Sequence, residues 1–307
     1  MARFLFFRIL QSIVVLWAIV TVTFFLVRLA PGGPLDKERA VSPHILAKLE
    51  EKYGLSDPLM TQYWDNLGRL LQGDLTISYK YEGRLVSEII GDSLPISAFI
   101  GLVALSIALV IGIPIGVIAA VKKNKTLDYL PMSLSMIGIC LPTFVLGPIL
   151  ALTFGLKLNW FNANGWYDKT DWVLPALTLG LYYAAYIARL SRGGMLEILN
   201  QDFIRTARAK GVPGNKVVLK HALKGGLLPV VAYLGPAFAG LISGSFVIEK
   251  VFNIPGLGQH FVDAAFNGDY FLVQGTVIVY GAAIVLLNLA VDFVLILLNP
   301  RLTFQGS

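Results

Sequence analysis

The stretch ISAFIGLVALSIALVIGIPIGVIAAV, residues 96–121, decides the fold class of this chain. It holds no charged side chain and consists mostly of isoleucine, valine, leucine and alanine. A helix of about 20 mostly apolar residues is long enough to cross a bilayer. Because lipid offers no partner to open backbone groups, such a segment crosses as a helix that pairs its own backbone. Residues 96–121 therefore predict a membrane-spanning α-helix.

Five more segments along the chain have the length and apolar character of a span. The six predicted spans are Ile9–Val27, Ile96–Val121, Leu130–Leu156, Trp172–Ala188, Leu227–Ile248 and Phe271–Leu298. The first five contain no charged residue, and the sixth contains one, Asp292. The sequence therefore predicts an all-α polytopic membrane protein with six transmembrane helices.

The composition agrees with that fold class and excludes others. Of the 307 residues, 56% are hydrophobic and 14% are charged, and the mean hydropathy is +0.69. A soluble domain carries about 25% charged residues, and a disordered chain combines low hydrophobicity with high charge. The single cysteine, Cys140, excludes a disulfide framework and a cysteine-rich zinc site.

The first predicted span has an alternative interpretation as a secretory signal peptide. Arg3 and Arg8 precede its apolar run, as in the charged region of such a signal. However, the run is longer than a typical signal-peptide core, and no A-x-A cleavage site follows it. We therefore expect an uncleaved transmembrane helix.

Basic residues are distributed unevenly among the segments that connect the spans. If the N-terminus is cytoplasmic, the inside segments hold 14 basic and three acidic residues, and the outside segments hold 10 basic and 15 acidic residues. Cytoplasmic loops of membrane proteins carry an excess of lysine and arginine. Both termini are therefore expected to be cytoplasmic. Because topology accounts for the net charge of +6, we expect membrane lipid and no nucleic acid as a partner.

The outside segment between the first two spans, Pro31–Pro95, is long enough for a small folded insert. One amphipathic helix is expected after Ser42-Pro43, ending near Gly54, and a second after Asp57-Pro58, ending near Gly73. The insert serves either as a docking surface for an outside partner or as a structural cap on the membrane domain.

The segment between the fourth and fifth spans, Arg189–Leu228, holds most of the inside basic residues. Residues 195–210 predict one helix whose apolar side carries Leu196, Leu199, Phe203 and Ala207. The sequence Gly211-Val212-Pro213-Gly214 must break it. Asn215 is expected to cap a second short helix through Lys224, which Gly225-Gly226 end. A cytoplasmic loop needs only a few basic residues to fix the topology. Two helices with apolar faces are not needed for that purpose, so they indicate that the loop binds a protein partner.

The outside segment between the last two spans contains a compact group of turn-forming residues. Its sequence is Phe252-Asn253-Ile254-Pro255-Gly256-Leu257-Gly258, followed by an amphipathic run through Phe266. The proline and the two glycines favour a tight turn close to the membrane surface. This turn is either part of an outer gate or docking site, carried by Phe252, Pro255, Gly256, Leu257 and Gly258, or an ordinary connection.

Sequence motifs for catalysis and for ATP binding are missing from the chain. It holds no G-x-x-x-x-G-K-[ST] phosphate loop, no G-x-S-x-G and no H-E-x-x-H. The three histidines lie in different loops and form no metal-binding pattern. We therefore expect no catalytic residue, no metal site and no cofactor bound by this chain.

Two features within the spans bear on transport. Asp292 is an intramembrane acid, which suits proton coupling or, alternatively, helix packing near Asn288. Gly112 and Gly116 flank Pro114 in the second span, and such small residues allow close approach of helices.

The break after residue 210 also carries a resemblance. Arg205-Thr206-Ala207, three residues, Gly211, nine residues and His221-Ala222-Leu223 resemble the EAA loop of ABC-importer permeases. In that loop Glu-Ala-Ala, three residues and Gly precede nine residues and an apolar segment that ends in Leu-Pro. Ala207, Gly211 and Leu223 match this pattern, whereas Arg205 stands in place of the glutamate and Lys224 in place of the proline.

The surrounding sequence extends the resemblance over nearly the whole chain. Arg28-Leu29-Ala30-Pro31-Gly32, residues 202–211, Leu227-Leu228-Pro229 and residues 249–258 all resemble the peptide/nickel family of ABC-importer permeases. Within that family, the B-type membrane subunits of oligopeptide permeases are the most similar. Dipeptide, nickel and glutathione permeases share much of the pattern.

This resemblance implies a type I importer permease fold in the bacterial inner membrane. It divides the chain into an N-terminal transmembrane helix (1–30), an external helical insert (31–95) and a five-helix core (96–307) with the EAA-type loop at about 193–228. The implied coupling residues are Phe203, Arg205, Thr206, Ala207, Arg208, Ala209, Lys210, Gly211, Val217, Val218, His221 and Leu223.

The resemblance also implies a set of partners. These are a homologous C-type permease subunit, two ABC ATPase subunits that bind ATP and Mg²⁺, an external peptide-binding protein and a peptide substrate. ATP-driven closure of the ATPases would move the EAA-type loop and open the outer side. The alternative is a proton-coupled secondary transporter that uses Asp292, although such proteins usually have more spans and inverted repeats.

Overall fold

A computed structural model describes residues 2–29, 56–81 and 83–298, with side chains from residue 6 onward except at 243 and 244. Helices account for most of these residues. The described part of the chain has no named β-strand, only an isolated antiparallel bridge between Ile77 and Leu85. The expected all-α architecture is therefore confirmed.

The helices are numbered in chain order. They are α1 (Ala2–Leu29), α2 (Leu59–Leu71), α3 (Val86–Val121), α4 (Thr126–Cys140), α5 (Thr143–Lys157), α6 (Val173–Leu199), α7 (Asp202–Ala209), α8 (residues 214–226), α9 (Leu228–Val251), α10 (Leu257–Asn267) and α11 (Tyr270–Leu298). Helix α5 becomes π-helical from Ala151, and α8 contains a π-helical segment, Val217–Ala222.

Within the described residues, five helices are long and apolar enough to span a membrane: α1, α3, α6, α9 and α11. The third predicted span, Leu130–Leu156, is not one continuous helix, because α4 and α5 meet at an angle of 102°. Pro142 has no amide hydrogen to donate and disfavours a helical conformation at the preceding residue. Leu141 is accordingly extended, with φ −84° and ψ 111°. The pair α4–α5 forms the sixth apolar stretch.

Two helices extend beyond the predicted spans into polar sequence. Helix α3 begins at Val86, whereas the span was expected to begin at Ile96. The Leu85 N–H donates to Glu88 Oε2 over 3.1 Å, which is half of a capping box and stabilises this early start. Helix α6 continues to Leu199, beyond the expected end at Ala188. The length of an apolar segment therefore predicts a membrane span, but hydrogen bonding and capping determine where the helix begins and ends.

The described residues of 97–254 and 284–307 form one compact unit. In this unit α6 is the most buried of the candidate spans and packs against α4, α5 and α9. It also packs closely on α3. A methyl group on Gly112 would lie 2.7 Å from the Ala184 carbonyl oxygen and 2.9 Å from Ile187 Cβ. The expected role of this glycine in close helix approach is confirmed.

The described residues of 2–96 and 255–283 form the second compact unit. In it, α2 packs on the end of α1. Tyr63 Oη lies 2.9 Å from Thr21 Oγ1, and Arg28 Nε donates to Gln62 Oε1 over 2.9 Å. The second expected insert helix is therefore confirmed, and it packs on the transmembrane helix α1. The first expected insert helix lies outside the described residues.

Asp269 organises the remaining polar contacts of this second unit, although it is completely buried. It precedes α11 as its N-cap, and Oδ1 accepts a hydrogen bond from the Leu272 N–H over 3.1 Å. Oδ2 accepts hydrogen bonds from the Ser78 hydroxyl and, over 3.3 Å, from the Lys80 N–H. One carboxylate thus caps a spanning helix and holds the loop that precedes α3.

Replacing Asp269 with alanine should lower the free energy of unfolding by about 2–3 kcal/mol, because a cap is lost and buried donors are left unpaired. Asp269→Asn keeps an oxygen that can cap α11, so it should recover part of this loss. Thermal unfolding of the purified variants in detergent measures the difference. A wild-type melting temperature for Asp269→Ala would contradict the assigned role.

Candidate functional site

The α7–α8 hairpin, residues 202–226, is the main candidate site. The expected single helix over residues 195–210 is wrong, because α6 ends at Leu199 and α7 begins separately at Asp202. Gln201 between them is extended, with ψ 155°, and its carbonyl accepts the Ile204 N–H over 3.1 Å. The Asn200 side chain donates back to the Leu196 carbonyl over 2.8 Å. The chain therefore turns after α6 and starts a new helix.

This turn rotates α7 so that its buried face differs from the expected one. Ile204 is fully buried and Ala207 is 9% exposed, whereas Phe203 is 47% exposed. Ile204 and Ala207 belong to a cluster with Ala120 of α3 and Met195 of α6. The expected common face of Phe203 and Ala207 is therefore wrong, and Phe203 is left on the surface.

Gly211 ends α7 in a left-handed conformation, with φ +74°. Its N–H donates to the Arg208 carbonyl over 2.9 Å, and the Val212 N–H donates to the Ala207 carbonyl over 3.2 Å. These two bonds make a Schellman motif, in which glycine is favoured because it has no Cβ. Val212 also packs against the cluster that contains Ala207. The expected helix break at Gly211 is confirmed.

Helix α8 returns the chain toward the end of α6. It begins at Gly214 after Pro213 and has no side-chain cap, so the expected cap by Asn215 is wrong. Val217 and Ala222 are buried in the same cluster as Ile204. At the other end, a methyl group on Gly225 would lie 2.9 Å from the Ile198 side chain. The two helices are thus fixed to one apolar core beneath α3 and α6.

The outer surface of the hairpin combines exposed apolar side chains with positive charge. Phe203 is 47% exposed and Leu219 is 66% exposed. The exposed basic residues around them are Arg205, Arg208, Lys210, Lys216, Lys220 and Lys224. Exposed Phe and Leu side chains surrounded by cations suit an apolar groove with an acidic rim on a protein partner.

The structure places the twelve expected coupling residues on both sides of the hairpin. Ala207 and Val217 are buried, and Val218 and Leu223 are partly buried. The exposed ones are Phe203, Arg205, Thr206, Arg208, Ala209, Lys210, Gly211 and His221. The buried group fixes the hairpin and the exposed group is free to contact a partner, and the coupling role of both stays a prediction.

An ion pair near the base of the hairpin was not found from the sequence. Asp128 at the start of α4 is 1% exposed and binds Arg192 of α6 through two contacts, Nε–Oδ1 at 2.5 Å and Nη2–Oδ2 at 2.8 Å. The Asn124 N–H donates to Asp128 Oδ2 over 2.9 Å. Such a two-point guanidinium–carboxylate contact fixes orientation as well as distance. In the sequence, the only indication of this ion pair is that Asp128 is one of the few acidic residues on the predicted cytoplasmic side.

The outer-gate candidates lie mostly in the interior. Phe252, Gly256, Leu257 and Gly258 are buried, and Pro255 is exposed. The chain turns here as expected, with Asn253 at φ +51° between α9 and α10. The Phe252 carbonyl accepts the Gly165 N–H over 2.7 Å. A docking surface at this turn would therefore present Pro255, and the gate role stays a prediction.

The titratable groups near this turn and within the spans include one histidine and two acids. Burial lowers the pKa of His260 in α10. Its Nδ1 atom lies 3.2 Å from Tyr81 Oη. Glu249, in the last turn of α9, is fully buried and was not singled out from the sequence. Asp292 in α11 is partly buried. Among the described residues no group of His, Cys, Asp and Glu is arranged to hold a metal ion.

Comparison with known families decides how this architecture is classified. Residues 112–304 match the family described as "binding-protein-dependent transport system inner membrane component". Residues 1–98 match the corresponding N-terminal family of membrane components. The chain belongs to this permease family. It is accordingly a multi-pass protein of the bacterial inner membrane, and the expected family and location are confirmed.

Curated relatives of the permease match over its full length. The oligopeptide transport system permease proteins OppB of Haemophilus influenzae and Escherichia coli K12 are each 44% identical over 306 residues, covering 99% of this chain and 100% of the relative. The dipeptide transport system permease protein DppB of Bacillus subtilis is 38% identical over 302 residues, covering 98% of each chain.

Two solved structures of ABC transporters share the permease fold. An inward-facing MetNI methionine ABC transporter has a TM-score of 0.59 at 18% identity, covering 69% of this chain and 96% of the other. An amino acid ABC transporter has a TM-score of 0.51 at 16% identity, covering 70% and 94%. These likenesses confirm the ABC-importer permease fold. The orientation of the termini stays a prediction.

Proposed function

We propose that this chain is the membrane subunit of an ATP-driven oligopeptide importer and forms half of its translocation pathway. The observation that carries the proposal is the 44% identity over the full length to oligopeptide permeases from two bacteria. Dipeptides are the second candidate substrate, because dipeptide permeases match at 38% over nearly the same length. Nickel and glutathione remain sequence-based alternatives without a further observation in their favour.

The α7–α8 hairpin is proposed as the contact to an ATPase subunit. A part that transmits movement between two proteins must be rigid and must present a surface. The buried Ile204, Ala207 and Val217 support rigidity, and the exposed Phe203 and Leu219 supply the surface. Arg205 stands where the family pattern has a glutamate, and this arginine is exposed on the same surface. Its charge supports an acidic rim around the partner's groove.

The partners and the energy source follow from this assignment. The chain has no phosphate loop, so ATP and Mg²⁺ would be bound by two separate ATPase subunits. A C-type permease subunit would supply the other half of the pathway, and an external binding protein would deliver peptide. Membership in a binding-protein-dependent family leaves the proton-coupled alternative through Asp292 without support.

Purification of the assembly tests this proposal. The chain is expressed with its genomic neighbours, extracted in mild detergent and captured through a tag on this subunit. A second permease and two ATPase copies should co-purify, and ATP hydrolysis should rise when peptide-loaded binding protein is added to vesicles. A chain that purifies alone and takes up peptide without ATP would contradict the proposal.

Replacing Phe203 with alanine should weaken binding of the ATPase subunit by about thirtyfold, because truncating an aromatic anchor at an interface typically removes about 2 kcal/mol. The residue is exposed, so the folded chain itself should keep its stability. Titration of purified ATPase against the permease pair in nanodiscs measures the affinity.

Tyr129→Ala is the matched control for Phe203→Ala. Tyr129 is also an exposed aromatic residue, 62% exposed, on the same predicted cytoplasmic side but outside the hairpin. Its replacement should leave ATPase affinity unchanged. Equal affinities for Phe203→Ala and the wild type would place the ATPase contact elsewhere.

A further inference from the structure

Three tyrosines form a cluster between α6 and α9. The Tyr182 and Tyr186 rings of α6 lie 5.3 Å apart between centroids, and the Tyr186 ring stacks on Tyr233 of α9 at 6.0 Å and 24°. All three side chains are partly exposed in this chain, although α6 is the most buried span. The fourth tyrosine nearby, Tyr183, is buried, so the exposed surface is provided by Tyr182, Tyr186 and Tyr233.

Within the cluster, Tyr182 lies at a depth where tyrosine is unusual, whereas Tyr186 is three residues from Arg189 and Tyr233 is six residues from Leu227, so both lie nearer the inner ends of their predicted spans. Tyr182 is nine residues from Val173 at one end of α6 and ten from Arg192, whose partner Asp128 starts α4. At 1.5 Å per residue it is therefore about 15 Å from each along the helix. Tyrosines of membrane proteins concentrate at the two interfaces, where the hydroxyl reaches water. A hydroxyl deep in the bilayer needs a polar partner or water. The Tyr182 side chain is hydrogen-bonded to Tyr186, and a phenol hydroxyl can take part in a further hydrogen bond.

The break between α4 and α5 lies alongside the same part of α6. A methyl group on Gly138, in the last turn of α4, would lie 3.5 Å from Ala185 Cβ. The extended Leu141 and the exposed Pro142 follow within a turn. Irregular backbone at membrane depth occurs where it is buried in protein or lines a water-filled cavity. Because this break is exposed in the chain, it faces a water-filled cavity or the second permease subunit rather than lipid.

We propose that Tyr182, Tyr186 and Tyr233 line the translocation pathway beside the α4–α5 break and contact the backbone of the passing peptide. This inference rests on the proposed function. A phenol hydroxyl is both donor and acceptor, so it pairs with a peptide N–H or C=O whatever the side chains are. The cluster carries no charged group, so it does not select charged side chains. An importer of varied peptides needs this kind of contact.

Other occupants fit the chemistry less well. Acyl chains offer no hydrogen-bond partner to the Tyr233 hydroxyl, to the remaining hydrogen-bonding capacity of the Tyr182–Tyr186 pair or to the open backbone of the break. A helix of the second permease subunit has its backbone groups already paired within itself. An extended peptide has unpaired N–H and C=O groups along its whole length. The observations therefore favour peptide over lipid and over a partner helix.

Thiol accessibility in the whole assembly tests this proposal. In vesicles with all subunits, Tyr186→Cys and Tyr233→Cys are introduced separately after Cys140→Ser removes the single native cysteine. A charged, membrane-impermeant methanethiosulfonate should modify both. Tetra-alanine, added with binding protein and ATP at about ten times its dissociation constant, should slow modification about tenfold. Its side chains carry no charge or ring, so protection reports on backbone contact.

Two further cysteine positions serve as controls for the accessibility of the tyrosine cluster. Val110→Cys on α3, 73% exposed and apolar, should resist the reagent, and the exposed Lys123→Cys should react fully without protection. Cluster cysteines that resist the reagent as Val110→Cys does would overturn the proposal, because the cluster would then face lipid or a partner helix. Reaction without protection by tetra-alanine would overturn the peptide contact. Uptake of tetra-alanine by wild-type vesicles separates these results from failure of the proposed function.

Phenylalanine variants keep the test independent of the cysteine substitutions. Tyr182→Phe, Tyr186→Phe and Tyr233→Phe remove hydroxyls and preserve the rings, so folding is retained. Each lost hydrogen bond to the passing peptide should reduce tetra-alanine uptake by about five- to tenfold. Wild-type uptake in the triple variant would overturn the contact through the hydroxyls.

Discussion

Replacing Gly116 with valine should remove most of the folded protein from the membrane. A Cβ at this position would overlap the Ala188 carbonyl oxygen of α6 and would lie 2.5 Å from Ser191 Cβ and 3.0 Å from the Arg192 nitrogen. Two of these three atoms belong to the backbone and cannot rotate away. Helices α3 and α6 would have to separate, and overpacking of this kind costs about 3 kcal/mol or more.

Separation of α3 from α6 would also disturb the α7–α8 hairpin. Helix α6 is the most buried span and leads directly into the α7–α8 hairpin, whose core also includes Ala120 of α3. Because a typical domain is stable by only about 5–15 kcal/mol, the substitution removes a large part of the total. Fluorescence-detected size-exclusion chromatography and thermal unfolding in detergent measure the folded yield and its stability.

Gly101→Val is the matched control on the same helix. A methyl group at Gly101 meets no atom within 4 Å, so only a small change in helix propensity is expected. If Gly116→Val and Gly101→Val gave the same folded yield and melting temperature, the close approach of α3 and α6 would not be needed for the fold.

Replacing Gly211 with valine should weaken the coupling between this chain and its ATPase subunit, so that peptide uptake and peptide-stimulated ATP hydrolysis fall together, while leaving membrane insertion intact. Gly211 has φ +74°, and a methyl group there would meet no atom within 4 Å, so strain in the backbone is the whole effect. A left-handed conformation costs an L-residue about 1–2 kcal/mol, and a β-branched residue suffers most. The Schellman bonds to Ala207 and Arg208 would weaken, and α7 and α8 would lose their fixed geometry.

The size of this effect follows from a two-state equilibrium of the hairpin. A strain near 1.4 kcal/mol lowers the native hairpin population relative to other arrangements by about tenfold. Activity follows the fraction of native hairpin, so peptide uptake and peptide-stimulated ATPase activity of the assembled importer should fall by at most this factor. Amide hydrogen exchange of residues 202–226 should rise in the same variant, since the hairpin opens more often.

Gly214→Val distinguishes strain from bulk in this loop. Gly214 starts α8, has no positive φ and also meets no atom within 4 Å of an added methyl group. It should keep near wild-type uptake and hydrogen exchange. Normal uptake and ATPase activity in Gly211→Val would contradict the coupling role proposed for the hairpin.

The sequence by itself determined the features that depend on local chemistry. Apolar length is a property of a continuous segment, so five spans and the all-α class followed from composition and helix geometry. The left-handed end of α7 followed from Gly211, because few other residues adopt that conformation without strain. The start of α2 next to Asp57-Pro58 was also found from the sequence, although the expected cap by Asp57 is wrong, because Pro58 is the N-cap and no side chain caps the helix.

Only the tertiary structure decided which faces and partners these elements use. Phe203 and Ile204 are adjacent and both apolar, so the sequence pattern does not show which one is buried. Ile204 is the buried one because α6 ends at Leu199 and α7 starts as a separate, rotated helix. The proline at 142 marks an interruption, but the 102° angle depends on what α4 and α5 pack against. Asp128 and Arg192 are 64 residues apart, and Tyr186 and Tyr233 are likewise distant in sequence. Contacts between distant residues depend on how the helices pack, which local periodicity does not encode.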